Sequence, residues 1–309
     1  MSWDFKSVAI VGAGAVGLYY GARLAAAGED VRFLMRADFS AAKDQGIRVD
    51  SVDGGIRLNE VKAFETADEI GPVDLVIVAW KATSNDLLST VLKPLLHHRT
   101  QVLTLQNGLG NCERIAEIVG SDRVLGALCF VCLNRVAPAR VNHTAGGRIS
   151  VGEFEPDARG RAEEIARRFS AAGIPTDAVD NLSEAQWKKL VWNIPFNGLA
   201  IADGGVTTED LLATAETEGE IRVLMAEVIS VATALGLNLE SRLIDSNIDR
   251  TRPMGAYRPS SMIDFVEGRE VEFHAIWGEP LRQAKEAGVP VPSLEKLADR
   301  IQARVEAVR

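Results

Sequence analysis

The stretch that decides the fold reads SVAIVGAGAVG and covers residues 7–17. Its first five residues are apolar except for Ser7, which is typical of a strand buried on both faces. The pattern G-x-G-x-x-G follows at once, and then comes a helical stretch, residues 18–27, that stops at Gly28. A strand that leads through these glycines into a helix is the context in which the pattern predicts a dinucleotide site.

Each glycine of this turn has a physical role in such a site. Gly12 allows the tight turn, Gly14 lets the backbone approach a pyrophosphate, and Gly17 lets the helix pack closely on the strand. The N–H groups at the start of the helix would then hold the phosphates. A glycine turn without a ligand is the alternative. The predicted phosphate-binding turn consists of Gly12, Ala13, Gly14, Ala15, Val16 and Gly17.

Short apolar strands alternate with helical stretches along the first half of the chain, which predicts a doubly wound parallel sheet. The strands are predicted at residues 31–35, 75–79, 101–105 and 124–128, and the helices at 84–96 and 112–119. Glycine and proline then interrupt short alternating runs. We therefore expect antiparallel strands at the sheet edge over 129–152, a helix over 159–172 and a last strand over 176–179.

The strand pattern disappears after residue 180. We therefore predict an α/β protein with an N-terminal Rossmann-type domain, residues 1–180, and a C-terminal all-helical domain, residues 181–309. The helices of the second domain are predicted at 184–199, 211–235, 239–250, 271–287 and 294–308.

Composition narrows the class of protein. The 309 residues are 47% hydrophobic and 25% charged, which is ordinary for a globular chain and excludes a disordered one. The net charge is −9 and the basic residues are scattered, so nucleic acid is not an expected partner. The longest uncharged run, residues 7–22, is too short to cross a membrane, and no signal peptide is recognisable. We expect a cytoplasmic protein.

The few cysteines and histidines do not form a metal-binding pattern. Cys129 and Cys132 lie three residues apart on a predicted strand, so their side chains point to opposite faces and we expect buried core cysteines. No histidine has matched acids or cysteines at ligand spacing. The prediction is therefore no metal site.

The end of the second predicted strand indicates which nicotinamide cofactor is bound. An acidic residue at this place accepts from the ribose 2′-hydroxyl of NAD, whereas a cation suits the 2′-phosphate of NADP. The chain has Arg36 there, and the nearest acid is Asp38. Arg36 favours NADP. The alternative is a surface arginine paired with Asp38.

One helix of the second domain presents a polar stripe. Lys189, Asn193 and Asn197 recur at four-residue spacing, on another face than the apolar stripe of the same helix. One cation and two amides in a row could form a polar wall for a hydroxylated acid. A solvent-facing stripe is the alternative.

Four further segments carry a resemblance to a known family. They are Ala79-Trp80-Lys81, the stretch QNGLG at 106–110, WKKL at 187–190 with the two asparagines, and PSSM at 259–262 with Glu267-Gly268-Arg269 and Glu272. With them the chain resembles the ketopantoate reductase (2-dehydropantoate 2-reductase) family over nearly its whole length. The resemblance implies reduction of a 2-oxo acid by NADPH, with 2-dehydropantoate as the first candidate and pantothenate and coenzyme A synthesis as the pathway.

The resemblance also implies roles for particular residues. Lys189 matches the general acid that protonates the carbonyl oxygen, and Glu272 matches an acid that contacts the substrate near the reacting carbon. Arg36 and Lys81 match cations around the adenosine end of NADP. Asn107 matches a residue that holds the cofactor ribose and lines the substrate site. The remaining matched substrate-binding residues are Asn193, Asn197 and Ser261.

The chain departs from the family pattern at several places, among them a stretch between Ser261 and Glu272 that is one residue shorter than expected, and these departures affect the substrate more than the reaction. Pro195 lies inside the proposed catalytic helix, Gly198 stands where the family usually has proline, and Trp277 stands where the family usually has a polar residue. Reduction of another branched 2-oxo acid therefore remains an alternative, as does a non-catalytic NADP-binding regulator on the same fold. The oligomeric state is open, with a homodimer among the alternatives.

Overall fold

The structure is a computed structural model and describes residues 4–155 and 160–307. The chain divides into two compact units, each with its own hydrophobic core. The first unit comprises the residues up to Gln106 and Asn111–Leu182. The second comprises Asn107–Gly110 and the residues from Ser183 onward. The segment Asn107–Gly110 thus leaves the unit in which its sequence neighbours lie.

The first unit is built on one sheet, and the described strands follow the order β4-β3-β9-β8-β7-β6-β1-β2-β5, with β10 paired to β9. The strands are β1 Ser7–Val11, β2 Asp30–Leu34, β3 Ile47–Ser51, β4 Ile56–Leu58, β5 Lys62–Phe64, β6 Leu75–Val78, β7 Gln101–Thr104, β8 Val124–Ala137, β9 Arg140–Glu153 and β10 Thr176–Val179.

The parallel, doubly wound part of the prediction is confirmed. β1 pairs in parallel with β2 on one side and with β6 on the other, and β7 continues the parallel series to β8. The chain therefore leaves β1 toward one half of the sheet and later returns on the other half. The crevice at the carboxyl end of β1 is the place where such sheets bind ligands.

The antiparallel hairpin is confirmed, but its predicted place at the sheet edge is wrong. β8 and β9 pair over nearly their full length, and the turn between them puts Ala139 at a φ of 54°. β3 and β10 both pair with the far side of β9, and β4 pairs with β3, so three of the described strands lie beyond the hairpin. The sequence analysis missed β3, β4 and β5, of which β4 and β5 have only three residues each, too few to define a period.

The helices of the first unit agree with the prediction in part. The region predicted as one helix over 84–96 is instead a 3₁₀ segment, Ala82–Leu87, a short α-helix and a second 3₁₀ segment, Lys93–Leu95. Pro94 in the last of these cannot donate a helical hydrogen bond. The predicted helix over 159–172 begins within the described residues at Arg161, since residue 159 lies outside them. The helices are α1 Ala15–Ala26, α2 Phe39–Gln45, α3 Ala67–Ile70, α4 Leu88–Leu92, α5 Asn111–Val119 and α6 Arg161–Ala171.

The described part of the second unit is helical, as predicted. The helix predicted over 211–235 is divided, because Thr214 caps a new helix by accepting from the N–H of Thr217. The helix predicted over 271–287 begins as a π-helix, His274–Gly278, and residue 308 of the last predicted helix lies outside the described residues. The helices are α7 Leu182–Ala202, α8 Thr208–Leu211, α9 Ala215–Ala234, α10 Leu243–Thr251, α11 Ser260–Val266, α12 Glu279–Glu286 and α13 Pro292–Glu306. Within residues 4–155 and 160–307, none of the helices combines the length and apolar character that crossing a bilayer requires.

Candidate functional site

The turn between β1 and α1 needs two of its glycines for packing. Gly12 has a φ of 95°, and a Cβ added there would lie 2.4 Å from the backbone nitrogen of Trp80. A Cβ on Gly17 would lie 2.2 Å from the carbonyl oxygen of Gly12. Both distances are far below van der Waals contact, so these positions exclude a side chain. The turn is thereby held close to the segment that follows β6.

Gly14 differs from these two glycines because the space beside it is open. It is the N-cap residue of α1, with φ −78° and ψ −166°, and a Cβ added there would meet nothing within 4 Å. No side chain caps α1 at this end. The helix start therefore offers free N–H groups next to open space, and the positive end of the helix dipole points the same way. This geometry fits the pyrophosphate of a dinucleotide.

A polar network that sequence reasoning missed follows the carboxyl ends of β6 and β7. Asn85 is its centre: its Oδ1 accepts from Gln106 Nε2 at 2.8 Å and from Trp80 Nε1 at 3.3 Å. Its Nδ2 donates to Asn111 Oδ1 at 2.8 Å. The available signal was the repeated placement of polar residues directly after neighbouring strands, which meet at one edge of a parallel sheet.

The two charged residues that follow β2, Arg36 and Asp38, do not pair with each other. Arg36 is exposed and forms no ion pair with the described part of the chain. Asp38 is only 4% exposed, and its Oδ1 accepts a hydrogen bond from Arg135 of β8. The alternative in which Arg36 pairs with Asp38 is therefore wrong, because the Asp38 carboxylate pairs with Arg135, which is distant in sequence. The second matched cation, Lys81, is partly buried at the N-cap of the 3₁₀ segment after β6.

In the second unit, α7 carries the polar stripe, and the stripe does not face solvent. Asn193 is 9% exposed and Asn197 is 2% exposed, while Lys189 is partly buried. The alternative of a solvent-facing stripe is therefore wrong. Within the described residues, the side chain of Asn193 makes no hydrogen bond. A buried amide of this kind retains donors and an acceptor for a ligand.

The ammonium group of Lys189 is held by the segment that joins the second unit from the middle of the chain. Its Nζ donates to Asn107 Oδ1 at 2.8 Å. This segment is in turn attached to the π-helix, because the N–H of Leu109 donates to the carbonyl of Ala275 at 2.9 Å. Gly108 has a φ of 82°, and a Cβ there would lie 2.3 Å from the same carbonyl oxygen. The close approach therefore requires glycine.

The neighbouring lysine has a different environment. Lys188 Nζ donates to Glu184 Oε1 at 2.5 Å, one helical turn away, and its side chain is 45% exposed. This hydrogen bond lowers the pKa of the Glu184 carboxyl from its ordinary value. Lys188 thus belongs to a surface ion pair on α7, and it serves as a natural control for Lys189.

The remaining matched residues are buried in the second unit. Asn197 Oδ1 accepts from the N–H of Ser261 at 2.9 Å, which attaches the start of α11 to α7. Within the described residues, the amide nitrogen of Asn197 and the hydroxyl of Ser261 make no hydrogen bond, and Ser261 is 2% exposed. Glu272 is 8% exposed and stands just before the π-helix. The Asn197 amide nitrogen and the Ser261 hydroxyl, like the Asn193 side chain, thus remain available to a ligand.

The two unusual residues of this chain, Gly198 and Trp277, contact each other. Trp277 is fully buried, and its Nε1 donates to the carbonyl of Ile194 at 3.1 Å. A Cβ on Gly198 would lie 2.9 Å from the same Nε1 and 2.7 Å from Leu297 Cδ2. The absence of a side chain at Gly198 therefore makes room for the indole. The two positions are therefore packed against each other.

Among the residues that the structure describes, the cysteines and histidines form no metal-binding cluster in either unit. Cys129 and Cys132 both lie on β8 and form no disulfide within the described residues, and they are only partly buried, so the expectation of buried core cysteines is wrong. His143 is buried and hydrogen bonded on both ring nitrogens, to Ser51 Oγ at 2.8 Å and to the Ala145 carbonyl at 3.0 Å. Within the described ranges no three His, Cys, Asp or Glu side chains are arranged to hold a metal ion.

Comparison with known proteins assigns the family. The model of "Ketopantoate reductase PanE/ApbA" matches residues 8–156, and that of "Ketopantoate reductase PanE/ApbA C terminal" matches residues 181–305. A 2-dehydropantoate 2-reductase of Nostoc sp. strain PCC 7120 is 39% identical over 297 residues, which are 94% of this chain and 93% of that protein. The chain belongs to the ketopantoate reductase family. The resemblance noted in the sequence is thereby confirmed.

Solved structures agree with membership of the ketopantoate reductase family. A crystal structure of 2-dehydropantoate 2-reductase from Geobacter metallireducens GS-15 has 43% sequence identity and a TM-score of 0.94, and covers 96% of this chain and 99% of that chain. A D-mandelate dehydrogenase solved with NADH and anilino(oxo)acetate has a TM-score of 0.90 over 98% of this chain and 99% of its own, but only 22% identity. The latter likeness shows the fold alone.

Proposed function

We propose that this protein is a 2-dehydropantoate 2-reductase, which reduces 2-dehydropantoate to pantoate with NADPH in the synthesis of pantothenate and coenzyme A. The observation that carries the proposal is the arrangement on α7. The Lys189 ammonium is bonded to Asn107 at 2.8 Å, and Asn193 and Asn197 follow it on the same buried face. Membership of the ketopantoate reductase family and the similarity to named 2-dehydropantoate 2-reductases support the same reaction.

We divide the work between residues 1–180, which bind NADP, and residues 181–309, which provide the substrate-binding and catalytic side chains, with Asn107 contributing to both tasks. The open space at Gly14 and the uncapped start of α1 support pyrophosphate binding there. Arg36, unpaired within the described residues, supports recognition of the 2′-phosphate. The proposed cofactor-binding residues are Gly12, Ala13, Gly14, Ala15, Val16, Gly17, Arg36, Lys81 and Asn107.

Bound NADPH supplies the hydride that reduces the C2 carbonyl carbon of the 2-oxo acid. As the carbon–oxygen double bond becomes a single bond, negative charge develops on the oxygen. Lys189 donates a proton from Nζ to that oxygen, so that 2-oxo acid, NADPH and one proton give 2-hydroxy acid and NADP⁺. Asn107 Oδ1 accepts a hydrogen bond from the same Nζ and fixes the direction of the ammonium group.

The substrate is held by the buried polar groups that the protein leaves available. The Asn193 side chain, the Asn197 amide nitrogen and the Ser261 hydroxyl have no hydrogen bond within the described residues, and all three residues are at most 9% exposed. Donors of this kind suit the carboxylate and hydroxyl oxygens of a hydroxylated 2-oxo acid. Glu272, also buried, is proposed to contact the substrate near the reacting carbon.

A panel of 2-oxo acids assayed by NADPH oxidation tests the function. We expect kcat/KM for 2-dehydropantoate to exceed that for every other acid by at least about a hundredfold. The buried Trp277, at a position where the family usually has a polar residue, favours one second candidate, a reductase of another branched 2-oxo acid. A different acid at the top of the panel would select that candidate, and no turnover of any acid would contradict the reductase assignment.

We place this biosynthetic reaction in the cytoplasm and propose a small-molecule 2-oxo acid as the partner of the protein. A homodimer is the assembly we propose to test, by light scattering at micromolar concentration. A single mass close to that of one 33.4 kDa chain would contradict it.

A further inference from the structure

The segment that follows β2 carries an acid that should oppose NADP binding. Asp38 stands two residues after Arg36, and the N–H of Phe39 donates to the Arg36 carbonyl at 3.2 Å, so both side chains leave one tight turn. In this fold a carboxylate near the end of the second strand accepts from the 2′-hydroxyl of NAD. A 2′-phosphate in that place would be repelled by the same carboxylate.

The structure shows what removes this conflict. Asp38 is the N-cap residue of α2, yet its side chain makes no capping hydrogen bond. Its Oδ1 accepts instead from Arg135, which stands 97 residues later near the end of β8. The Asp38 side chain is 5% exposed, and its Oδ2 is buried with no hydrogen-bond partner in the described chain. The negative charge of Asp38 is therefore balanced by Arg135 alone among these residues.

The same contact decides the state of Arg36. Asp38 is the acid nearest to Arg36 along the chain, and a free carboxylate there would be its natural partner. Because Arg135 holds Asp38, Arg36 remains exposed and unpaired within the described residues. A guanidinium without a carboxylate partner can make charge-assisted hydrogen bonds to phosphate.

We propose that Arg135 is a specificity-determining residue for NADPH, acting as a positioning residue through Asp38. It neutralises a carboxylate that would otherwise repel the 2′-phosphate and compete for Arg36. The inference rests on the proposed function, in which NADPH is the reductant. It adds a residue from β8, outside every motif that carries the family resemblance.

The test measures dissociation constants for NADPH and NADH by fluorescence titration of the full chain, without substrate. Arg135→Gln should weaken NADPH about tenfold and NADH less than about threefold. Arg135→Lys keeps the charge and should leave the ratio of the two constants within about threefold of the wild-type ratio. The double variant Arg135→Gln with Asp38→Asn should restore that ratio, because no carboxylate remains to be neutralised.

Three results would overturn the inference. Equal weakening of both nucleotides by Arg135→Gln would make Arg135 a purely structural residue. Failure of Asp38→Asn to restore the ratio would mean that Arg135 contacts the nucleotide itself. If Arg135→Gln does not fold, the single variant Asp38→Asn tests the inference. It should keep NADPH affinity within about threefold, and a tenfold loss would show that the carboxylate supports binding.

The proposed function can fail separately from this inference. If the wild-type protein binds NADPH no better than NADH, the proposed cofactor is wrong before any variant is made. Arg36→Ala provides the comparison for a direct phosphate contact. It should weaken NADPH by about ten- to a hundredfold with little effect on NADH, and Asp38→Asn should not restore it.

Discussion

Two adjacent lysines on α7 lie in different environments because successive side chains of a helix point in different directions. Lys189 is partly buried and donates to Asn107, whereas Lys188 is 45% exposed and pairs with Glu184. Successive residues of an α-helix point about 100° apart, so only one of the two can face the buried asparagines. Both side chains carry the same charge, and their directions separate the proposed proton donor, Lys189, from Lys188, which belongs to a surface ion pair.

Replacing Lys189 should therefore reduce catalysis far more than binding. Lys189→Ala removes the proposed general acid and should lower kcat by about 10²–10⁴, because its contribution is made mainly as charge develops on the carbonyl oxygen. The NADPH dissociation constant should change less than about threefold. Steady-state kinetics and fluorescence titration measure the two quantities.

Lys188→Ala is the matched control and should leave kcat within about twofold, since it removes only an exposed i,i+4 ion pair. If Lys188→Ala were the damaging change and Lys189→Ala the mild one, the assignment of the proton donor would be wrong. Glu272→Ala should raise KM as well as lower kcat, because Glu272 is proposed to contact the substrate.

At the scale of secondary-structure elements, the glycine turn between β1 and α1 combines two separable tasks. Gly12 and Gly17 permit close packing, since an added Cβ would lie 2.4 Å from Trp80 and 2.2 Å from Gly12, respectively. Gly14 borders open space, since an added Cβ meets nothing within 4 Å, and this is where we propose that the pyrophosphate binds. The sequence pattern alone does not distinguish a glycine required for folding from one required for binding.

Substitutions in the turn should separate these tasks. Gly14→Val should leave the urea midpoint of unfolding nearly unchanged but abolish binding of both NADPH and NADH, because the new methyl groups occupy the pyrophosphate space. Gly17→Ala should instead lower the free energy of unfolding by about 1–3 kcal/mol, because it forces a carbon against a backbone carbonyl. Unchanged nucleotide affinity in folded Gly14→Val would disprove the location of the phosphate site.

The π-helix His274–Gly278 is the element that the 3.6-residue pattern could not predict. Its Ala275 carbonyl accepts from Leu109 N–H at 2.9 Å, and its Trp277 donates to Ile194 of α7 at 3.1 Å. The π-helix thus contacts both the segment Asn107–Gly110 and α7, the helix that carries Lys189. Single π-turns within helices often occur at functional sites.

On the scale of the whole molecule, each of the two units has its own hydrophobic core. A packing change in one core should therefore be measurable as a loss of stability. Gly198→Ala places a Cβ 2.9 Å from Trp277 Nε1 and 2.7 Å from Leu297 Cδ2. We expect the free energy of unfolding to fall by about 1–3 kcal/mol, as measured by urea denaturation.

A double-mutant cycle tests whether Gly198 and Trp277 are coupled. Trp277→Phe removes the indole nitrogen, so the double variant should lose less stability than the sum of the single losses. Gly219→Ala in α9 is the control, because its Cβ would meet nothing within 4 Å and alanine favours the helix. Additive losses for Gly198→Ala and Trp277→Phe would show that the two positions are independent.

The sequence by itself determined the features that arise from neighbouring residues. The buried strand and glycine turn of residues 7–17, the parallel series of strands, the helical second half and the spacing of Lys189, Asn193 and Asn197 all follow from local periodicity. The family resemblance added the site residues, which remain proposals. Strands as short as β4 and β5 were missed, because three residues do not define a period.

Only the tertiary structure decided which side chains meet across long separations in sequence. Asp38 pairs with Arg135, 97 residues away, although Arg36 is its near neighbour, and Lys189 meets Asn107 across 82 residues. Trp277 likewise fits over Gly198 only because α7 and the π-helix pack together. The physical reason is that periodicity reports which face of an element is buried, whereas the partner on that face depends on the path of the whole chain.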